Sequence, residues 1–159
     1  MELIGLRYFN VYGKRQDPLG AYAAAIPKFI NSLIKLEQPT INGDGSFSRD
    51  FTYVEDVVQI NQLAALTQNP NAINQIYNVA AGERNTLNKL FVLLRHNLVI
   101  FNAKIKEINP IYGPIRKGDI PHSQASIDKA IKLLSYQPKY DLEMGIEKTV
   151  AWYMKIGCE

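Results

Sequence analysis

The stretch that organises this chain is Ser46-Phe47-Ser48-Arg49-Asp50-Phe51-Thr52-Tyr53-Val54-Glu55-Asp56. Two further segments belong with it, LRYFNVYG at residues 6–13 and RKGD at residues 116–119. Between apolar runs, the three segments supply guanidiniums, a side-chain amide and carboxylates. Because the segments lie far apart in the sequence, we expect the fold to assemble one site from all three.

Alternating extended and helical patterns run along the chain and predict an α/β fold. The first predicted strand, at 3–9, is apolar except at Gly5 and Arg7, which is typical of a strand buried on both faces in a parallel sheet. The first helix is predicted to begin within a residue or two of Pro27, because proline is tolerated only in the first turn. Further strands are predicted at 39–42, 50–54, 75–80 and 104–108, the last half-exposed because polar and apolar residues alternate there.

Polar residues mark the starts of the later helices. Glu55 and Asp56 open an amphipathic helix that reaches about Gln68, since acidic side chains are favourable at a helix N-terminus. Thr86, Ser126 and Asp141 are predicted to cap helices that run to about residues 98, 134 and 155. Turn residues predict loops at 13–20 and 81–85.

Composition limits the kind of protein that this chain can be. Of its 159 residues, 47% are hydrophobic and 21% are charged, which is ordinary for a soluble globular domain. No apolar run approaches the roughly 20 residues that span a bilayer, and the N-terminus lacks the pattern of a secretory signal. The single cysteine, Cys158, permits no internal disulfide. We therefore expect a cytoplasmic protein without a membrane partner.

Neither charge nor histidine content predicts a nucleic-acid or metal site. The net charge is +3, and the 18 Lys and Arg residues are scattered along the chain. A nucleic-acid surface needs basic residues clustered with aromatic residues on one face, and the sequence has no such cluster. His96 and His122 each stand alone, so no metal site and no Ser/His/Asp or Cys/His arrangement is predicted.

Four motifs carry a resemblance to a known family: RYFNVYG at 7–13, NGDGSFSRDFTYVEDVV at 42–58, YNVAAG at 77–82 and RKGD at 116–119. In order and spacing they resemble the C-terminal half of the extended short-chain dehydrogenases/reductases of the nucleotide-sugar epimerase group, especially the UDP-N-acetylglucosamine 4-epimerase branch. The resemblance implies a Rossmann-like fold with an interleaved, smaller α/β substrate-binding lobe. It assigns 3–9, 54–68 and 75–80 to the Rossmann part, and 14–50 and about 100–159 mainly to the substrate lobe.

Two motifs of that family do not occur in the sequence. One is the glycine-rich G-x-x-G-x-x-G turn, which brings a pyrophosphate to a helix N-terminus. The other is the family's catalytic pair, a tyrosine that acts as general base and a lysine four positions later, so no catalytic residue is predicted here. The resemblance places both upstream of the first strand, so residues 1–159 are interpreted as one C-terminal fragment without the NAD-binding half. The parent is expected to form a homodimer through that half, and the fragment to self-associate through an unpaired strand edge.

The resemblance implies roles for residues in the first two motifs. Asn10 is implied to bind the diphosphate-sugar region of the substrate, and Tyr8 to lie near the nicotinamide of NAD. The alternatives are a local Asx-type hydrogen bond for Asn10 and a packed aromatic ring for Tyr8. Arg49 is implied to bind a phosphate, for which its guanidinium fork is well matched. The alternative for Arg49 is a salt bridge to Asp50 or Glu55.

Further residues are implied to bind the nucleotide and the sugar. Arg116 is assigned to a phosphate and Asp119 to the ribose hydroxyls, because a carboxylate accepts the hydrogen bonds that ribose donates; without the resemblance, RKGD would be a solvated turn. Ser123 corresponds to a position against the sugar C2 substituent, where a small side chain leaves room for an N-acetyl group. The alternative is that Ser123 only starts the turn before Ser126. The residues implied to line the uracil and ribose pocket are Ala24, Ala25, Thr40, Ile41 and Asn42.

The sequence leaves several functions open. The first is the UDP-sugar-binding half of an NAD-dependent 4-epimerase that interconverts UDP-N-acetylglucosamine and UDP-N-acetylgalactosamine for polysaccharide synthesis, inactive as an isolated fragment. Outside the enzyme class, the alternatives are a non-catalytic UDP-sugar-binding module and a structural fragment that binds no ligand. Within the enzyme class, the alternative is a nucleotide-sugar dehydratase or decarboxylase.

Overall fold

The computed structural model describes residues 1–17 and 24–156, and short strands alternate with helices along these residues. The helices are α1 (Ala25–Ile34), α2 (Val54–Leu66), α3 (Leu87–Val99), α4 (Asp128–Leu134) and α5 (Leu142–Ile156), with 3-10 turns at Pro70–Ala72 and Ala103–Glu107. The strands are β1 (Ile4–Tyr8), β2 (Val11–Tyr12), β3 (Thr40–Asn42), β4 (Ser48–Arg49), β5 (Thr52–Tyr53), β6 (Gln75–Val79), β7 (Asn85–Thr86) and β8 (Ile111–Gly113).

The strands associate in pairs, most of them parallel. Strand β1 pairs with β6, β2 with β5 and β3 with β8 in parallel, whereas β4 and β7 are antiparallel. Parallel strands place their carboxyl ends at the same edge, so the residues that follow β1 and β6 lie side by side. The β3–β8 pair in turn brings the segment after residue 113 next to Asn42.

Two hydrophobic clusters stabilise the fold. The larger one lies among α1, α3 and α5 and includes the fully buried Ile30, Leu94 and Ile146. The smaller one joins β6, α2 and α4 and includes Tyr77 and Ile60. Burying one such side chain contributes about 1.5–3 kcal/mol. The chain passes from one cluster to the other several times, so residues of the two clusters alternate along the sequence.

The N-terminus of α2 is tied to the segment before α5. The buried carboxylate of Asp56 accepts the backbone N–H groups of Lys139 and Tyr140 at 2.8 and 3.2 Å. Next to it, the Tyr140 hydroxyl donates to Oε2 of Glu55 at 2.6 Å. This hydrogen bond lowers the pKa of Glu55, whereas burial raises the pKa of Asp56. Both acidic residues of the first turn therefore serve as hydrogen-bond acceptors for a distant segment.

The predicted capping residues are largely confirmed. The side chain of Thr86 accepts the N–H of Lys89 at 3.1 Å, and Asp141 accepts the N–H of Met144 at 2.8 Å. Helix α1 begins two residues before Pro27, as expected from the tolerance of proline in a first turn. Of the other predicted features, residues 18–20 of the loop and Cys158 lie outside the described residues.

Two predictions for the later segments are wrong. Residues 104–107 belong to a 3-10 turn rather than a strand, and Ile108 is its C-cap, because Asn102 accepts the N–H of Lys104 and starts a turn. The buried Ile105 and Ile108 are three residues apart, which matches the three-residue period of this turn. Ser126 is not the N-cap of α4: the helix begins at Asp128 after Ile127, and the Ser126 hydroxyl donates to Oδ2 of Asp128 at 2.8 Å and accepts its N–H at 3.4 Å.

The prediction that the first strand is buried on both faces is also wrong for the described residues. Ile4, Gly5 and Leu6 are half-buried, and Tyr8 is 49% exposed. Within residues 1–17 and 24–156, β1 pairs along one edge only, with β6. The outer edge therefore presents free backbone groups, which is the feature on which the expected self-association rests. In the same residues, no helix is both long enough and apolar enough to cross a bilayer.

Gly145, in α5, is expected to be essential for the packing of Tyr12 although its backbone is helical. An added Cβ would lie 2.8 Å from Cζ of Tyr12, whose buried hydroxyl donates to the Leu142 carbonyl at 3.4 Å. Alanine gains about 1 kcal/mol over glycine in a helix, but overpacking a core costs about 1–3 kcal/mol. We therefore expect Gly145→Ala to lower the free energy of unfolding by up to about 2 kcal/mol, measured by urea denaturation.

The control for Gly145→Ala is a double-mutant cycle with Tyr12→Phe, which removes the hydroxyl that the new Cβ would meet. The two substitutions are in contact, so their effects should not add, and the double variant should be more stable than the sum of the single changes predicts. Additive effects, or a Gly145→Ala variant more stable than the parent, would contradict this account of the packing.

Candidate functional site

Two adjoining clefts contain most of the residues predicted to bind substrate. The first cleft, of about 210 Å³, is lined by residues that include Asn10, Ala24, Ala25 and Arg49. The second cleft, of about 110 Å³, is lined by residues that include Ala25 and Arg116, together with all three residues of β3, Thr40, Ile41 and Asn42. Ala25 and Leu87 line both clefts, so the clefts are neighbours with a common wall.

Asn10 lies where β1 ends and has a left-handed backbone, with φ of 37°. Asparagine tolerates this conformation better than most residues because its short polar side chain can bond locally. Here, however, Nδ2 donates to the carbonyl oxygen of Asp50 at 3.1 Å, forty positions along the chain. The local Asx-type bond is therefore not the one that Asn10 makes, and its side chain links β1 to the segment after β4.

Arg49 is held at the first cleft by backbone carbonyls. Its Nη1 donates to the carbonyl oxygens of Ser48 and Pro121 at 2.9 and 3.3 Å. Arg49 forms no salt bridge with either carboxylate proposed as an alternative partner: Asp50 accepts backbone N–H groups, and Glu55 pairs with Lys14 and Tyr140. The guanidinium is thus oriented without being neutralised, and its remaining N–H groups can bind an anion.

Arg116 reaches the second cleft because β8 pairs with β3. Three residues after β8, its side chain lies beside Thr40 and Asn42 at the cleft wall. The RKGD segment forms a turn, in which the N–H of Asp119 donates to the Arg116 carbonyl at 3.1 Å and Gly118 has a φ of 89°. The carboxylate of Asp119 does not line either cleft. The turn is solvated, as the alternative interpretation held, and it still presents one guanidinium to the cleft.

Ser123 lies next to β4 but outside both clefts. Its N–H donates to the carbonyl oxygen of Ser48 at 3.0 Å, so Ser123 and Arg49 are both bonded to the same residue. His122 lies 2.8 Å from Ser48 Oγ through Nδ1, which gives this histidine a packing role. His96 is exposed on α3. In the part of the chain that the structure describes, no three His, Cys, Asp or Glu side chains are grouped to hold a metal ion.

Tyr8 lies on the α2 side of β1, away from the two clefts. Its hydroxyl donates to Oδ1 of Asn61 at 3.1 Å, and the ring is about half exposed. The groove nearby is lined by apolar and neutral residues of β1 and α2, apart from Glu2, and offers neither a glycine-rich turn nor a cation for a pyrophosphate. Within residues 1–17 and 24–156, this groove therefore does not form a dinucleotide site by itself.

The charges around the two clefts are all positive. Besides Arg49 and Arg116, Lys28 of α1 lines the second cleft, and among the described residues no acidic side chain lines either cleft. Tyr12 and Phe51 supply apolar walls in the first cleft. Burial raises the pKa of Tyr12, so its phenol stays protonated. The clefts are thus suited to bind a negatively charged ligand with an apolar ring.

Sequence reasoning missed several of these lining residues. Lys28 could have been found, because it lies four positions after Ala24 and three after Ala25 and so shares their face of α1. Leu87 and Phe51 carry no such signal, since a leucine or phenylalanine at the start of a helix or beside a strand is ordinarily a core residue.

Comparisons with known proteins show which family the chain resembles. A sequence model of the NAD dependent epimerase/dehydratase family matches residues 1–80. A putative UDP-glucose 4-epimerase of Methanocaldococcus jannaschii is 37% identical over 147 residues, which cover 92% of this chain and 44% of that protein. Other curated relatives include further epimerases and a decarboxylase.

Solved structures show the same α/β, Rossmann-like fold. The UDP-glucose 4-epimerase of Thermotoga maritima with UDP-glucose is 36% identical and superposes with a TM-score of 0.87. The UDP-N-acetylglucosamine 4-epimerase of Methanobrevibacter ruminantium with UDP-N-acetylmuramic acid is 38% identical, with a TM-score of 0.86. Each match covers 98% of this chain and 47% of the solved chain. Solved relatives also contain NAD.

The chain thus spans about half the length of the relatives that it matches. The family match extends over 80 of its 159 residues and includes β1, α1, α2, β6 and the first cleft's Asn10 and Arg49. On this evidence, the chain belongs to the NAD dependent epimerase/dehydratase family.

Proposed function

We propose that this chain binds a UDP-sugar and forms the substrate-binding part of an NAD-dependent nucleotide-sugar 4-epimerase, with UDP-N-acetylglucosamine and UDP-N-acetylgalactosamine as its substrates. The observation that carries the proposal is the pair of adjoining clefts. Cationic side chains line them, and among the described residues no acidic side chain does. A diphosphate is the part of a UDP-sugar that such a lining complements. Charge-assisted hydrogen bonds to phosphate are roughly twice as strong as neutral ones.

Each proposed role concerns one part of the ligand or cofactor. Arg49 and Arg116 bind the phosphates, and Asn10 binds where the diphosphate meets the sugar. Asp119 reaches the ribose hydroxyls from its turn, since its carboxylate can only accept the hydrogen bonds that ribose donates. Tyr8 is assigned to the surroundings of the nicotinamide. The residues proposed to surround the uracil and ribose are Ala24, Ala25, Thr40, Ile41 and Asn42.

Helix α1 supports the anion-binding part of this proposal. Its N-cap is Ala24, which makes no side-chain capping hydrogen bond, and no acidic residue occupies its first turn. Both Ala24 and Ala25 line the first cleft together with Arg49. The N-terminal N–H groups of a helix attract anions, and here the first residues of α1 line the same cleft as a guanidinium.

Titration calorimetry of the chain with UDP and with UDP-N-acetylglucosamine tests the proposal. Saturable binding of both ligands is expected, and no heat of binding at millimolar ligand would overturn it. If UDP binds, the structural-fragment alternative is eliminated. A non-catalytic binding module and an enzyme part are then separated by turnover with NAD when the longer protein is assayed, and product analysis there separates an epimerase from a dehydratase or decarboxylase.

Ser123 carries the proposed preference for N-acetylated sugars. If its side chain lies against the C2 substituent, a tyrosine at this position would overlap an N-acetyl group, at a cost of typically about 1–3 kcal/mol. We expect Ser123→Tyr to lower the affinity for UDP-N-acetylglucosamine relative to UDP-glucose by about 5- to 150-fold. The ratio of the two dissociation constants, for the parent chain and the variant, measures this.

Ser123→Ala is the matched control, because it keeps the small volume and the backbone N–H bonded to Ser48. It should leave the ratio of dissociation constants unchanged. A Ser123→Tyr variant with an unaltered ratio would show that this side chain does not touch the C2 group, and that it only begins the turn before Ser126.

A further inference from the structure

Asp50 is fully buried between two residues that line the first cleft, Arg49 and Phe51. Its carboxylate accepts three backbone N–H groups: Oδ1 from Ala81 at 3.0 Å, and Oδ2 from Gly82 at 3.2 Å and from Ala125 at 3.4 Å. It forms no salt bridge within the described residues. Burying a carboxylate is costly unless hydrogen bonds compensate for the lost water. The carboxylate therefore keeps the three main-chain donors in place, which a solvated surface charge would not do.

The donors come from segments that are distant in sequence. Ala81 and Gly82 follow β6, whereas Ala125 belongs to the segment that runs beside β4. The side chain of Gln124 adds a second link between these segments, because its Nε2 donates to the Gly82 carbonyl at 2.9 Å. A third segment joins through the backbone of Asp50 itself, whose carbonyl accepts the amide of Asn10.

One of these segments also positions Arg49, together with the neighbouring residue of β4. Pro121, four residues before Ala125, supplies one of the two carbonyl oxygens that hold the guanidinium, and Ser48 supplies the other. Movement of the 121–125 segment would therefore displace one anchor of Arg49. Burial raises the pKa of Asp50, while the three N–H donors act in the opposite direction and favour its ionised form.

We propose that Asp50 is a positioning residue for phosphate binding: its carboxylate fixes the segments after β6 and at 121–125 against β4, and so holds the Arg49 guanidinium towards the first cleft. The inference rests on the proposed function, because it takes the phosphates of UDP as the group that Arg49 meets. Asp50 would then determine the affinity for the ligand although it does not touch the ligand.

Asp50→Asn tests the inference with almost no change in volume. An amide has one acceptor oxygen, so its NH₂ group must face at least one of the three N–H donors, and the segment that carries this donor has to move. Because a displacement of about 1 Å at a site can change its performance by about 10²-fold, we expect Asp50→Asn to weaken UDP binding at least about 10-fold. Binding of uridine, which has no phosphate, should stay within about twofold.

Asp56→Asn is the matched control. Asp56 is also fully buried and accepts two backbone N–H groups, but it lies in α2 and lines neither cleft. Both variants are expected to be less stable than the parent, and only Asp50→Asn should change the ratio of UDP to uridine affinity. A merely structural role for Asp50 would leave this ratio unchanged, as in Asp56→Asn.

Gln124→Ala keeps the test decisive if Asp50→Asn does not fold. Gln124 is exposed, and its loss removes one link between the same two segments. It should weaken UDP binding by a smaller factor, about 2- to 5-fold, again without an effect on uridine. If the parent chain binds UDP and every folded variant keeps the parent ratio of UDP to uridine affinity, the inference is overturned. If the parent chain does not bind UDP, the proposed function fails instead.

Discussion

The 159-residue chain by itself should show no epimerase activity, even with NAD added. Its sequence contains no tyrosine with a lysine four positions later, and no glycine-rich turn that could hold the pyrophosphate of NAD. A positioned general acid or base contributes about 10²–10⁴-fold to the rate, and without a cofactor site the oxidation that epimerisation needs does not take place. We therefore expect the epimerase activity to be absent rather than reduced.

The measurement is conversion of UDP-N-acetylglucosamine to UDP-N-acetylgalactosamine, followed by NMR of the anomeric proton over many hours at high protein concentration. The calorimetric UDP titration on the same preparation is the control, since it shows that an inactive sample still has its binding clefts. Conversion above the blank would mean that residues of this chain can perform the proton transfer, and would contradict the assignment of that step to another part of the protein.

The sequence was informative about the site because its motifs lie at the ends of strands. Asn10 follows β1 and Arg49 ends β4, so that once the strands pair, both side chains arrive at one cleft. Of the ten residues predicted to bind substrate, the clefts bring together eight, the exceptions being Asp119 and Ser123. Those two lie on the 114–127 segment, which has no helix or strand of its own to fix its position in advance.

The incorrect predictions have physical causes. At 104–108 the alternation of lysine and isoleucine resembles a strand, but the three-residue spacing of Ile105 and its C-cap Ile108 matches the 3-10 turn, and both side chains are buried. The apolar run of β1 would be buried only if other elements covered both of its faces. The sequence of the run does not show which elements those are. Tertiary contacts, rather than propensity, decide such cases.

The role of Asp50 could not be predicted from the sequence at all. As a neighbour of Arg49 it suggested an ion pair, which is the simplest reading of adjacent opposite charges. The structure turns the two side chains to different partners, since Arg49 donates to carbonyls and Asp50 accepts N–H groups from three distant residues. Backbone donors have no sequence signature, so only the fold reveals such an arrangement.

Replacement of Arg49 by methionine is expected to cause the largest loss of ligand affinity. The guanidinium is anchored by two carbonyls through Nη1, which leaves its other N–H groups for a phosphate. A hydrogen bond to a charged group contributes about 1.5–3 kcal/mol, so the loss of two would weaken UDP binding by about 100-fold or more. Calorimetry with UDP measures this loss, and uridine binding should be nearly unchanged.

Two further variants separate the geometry of Arg49 from its charge. Arg49→Lys keeps the positive charge but has no planar fork to be anchored by two carbonyls, so its affinity for UDP should fall between those of the parent and Arg49→Met. Lys132→Met removes an equal charge from the exposed surface of α4, which lines neither cleft, and should have no effect.

If Lys132→Met weakened binding as much as Arg49→Met, long-range attraction would explain the affinity. If Arg49→Met bound UDP within about threefold of the parent, the phosphate would have to lie elsewhere, with Arg116 and Lys28 as the remaining cations of the clefts.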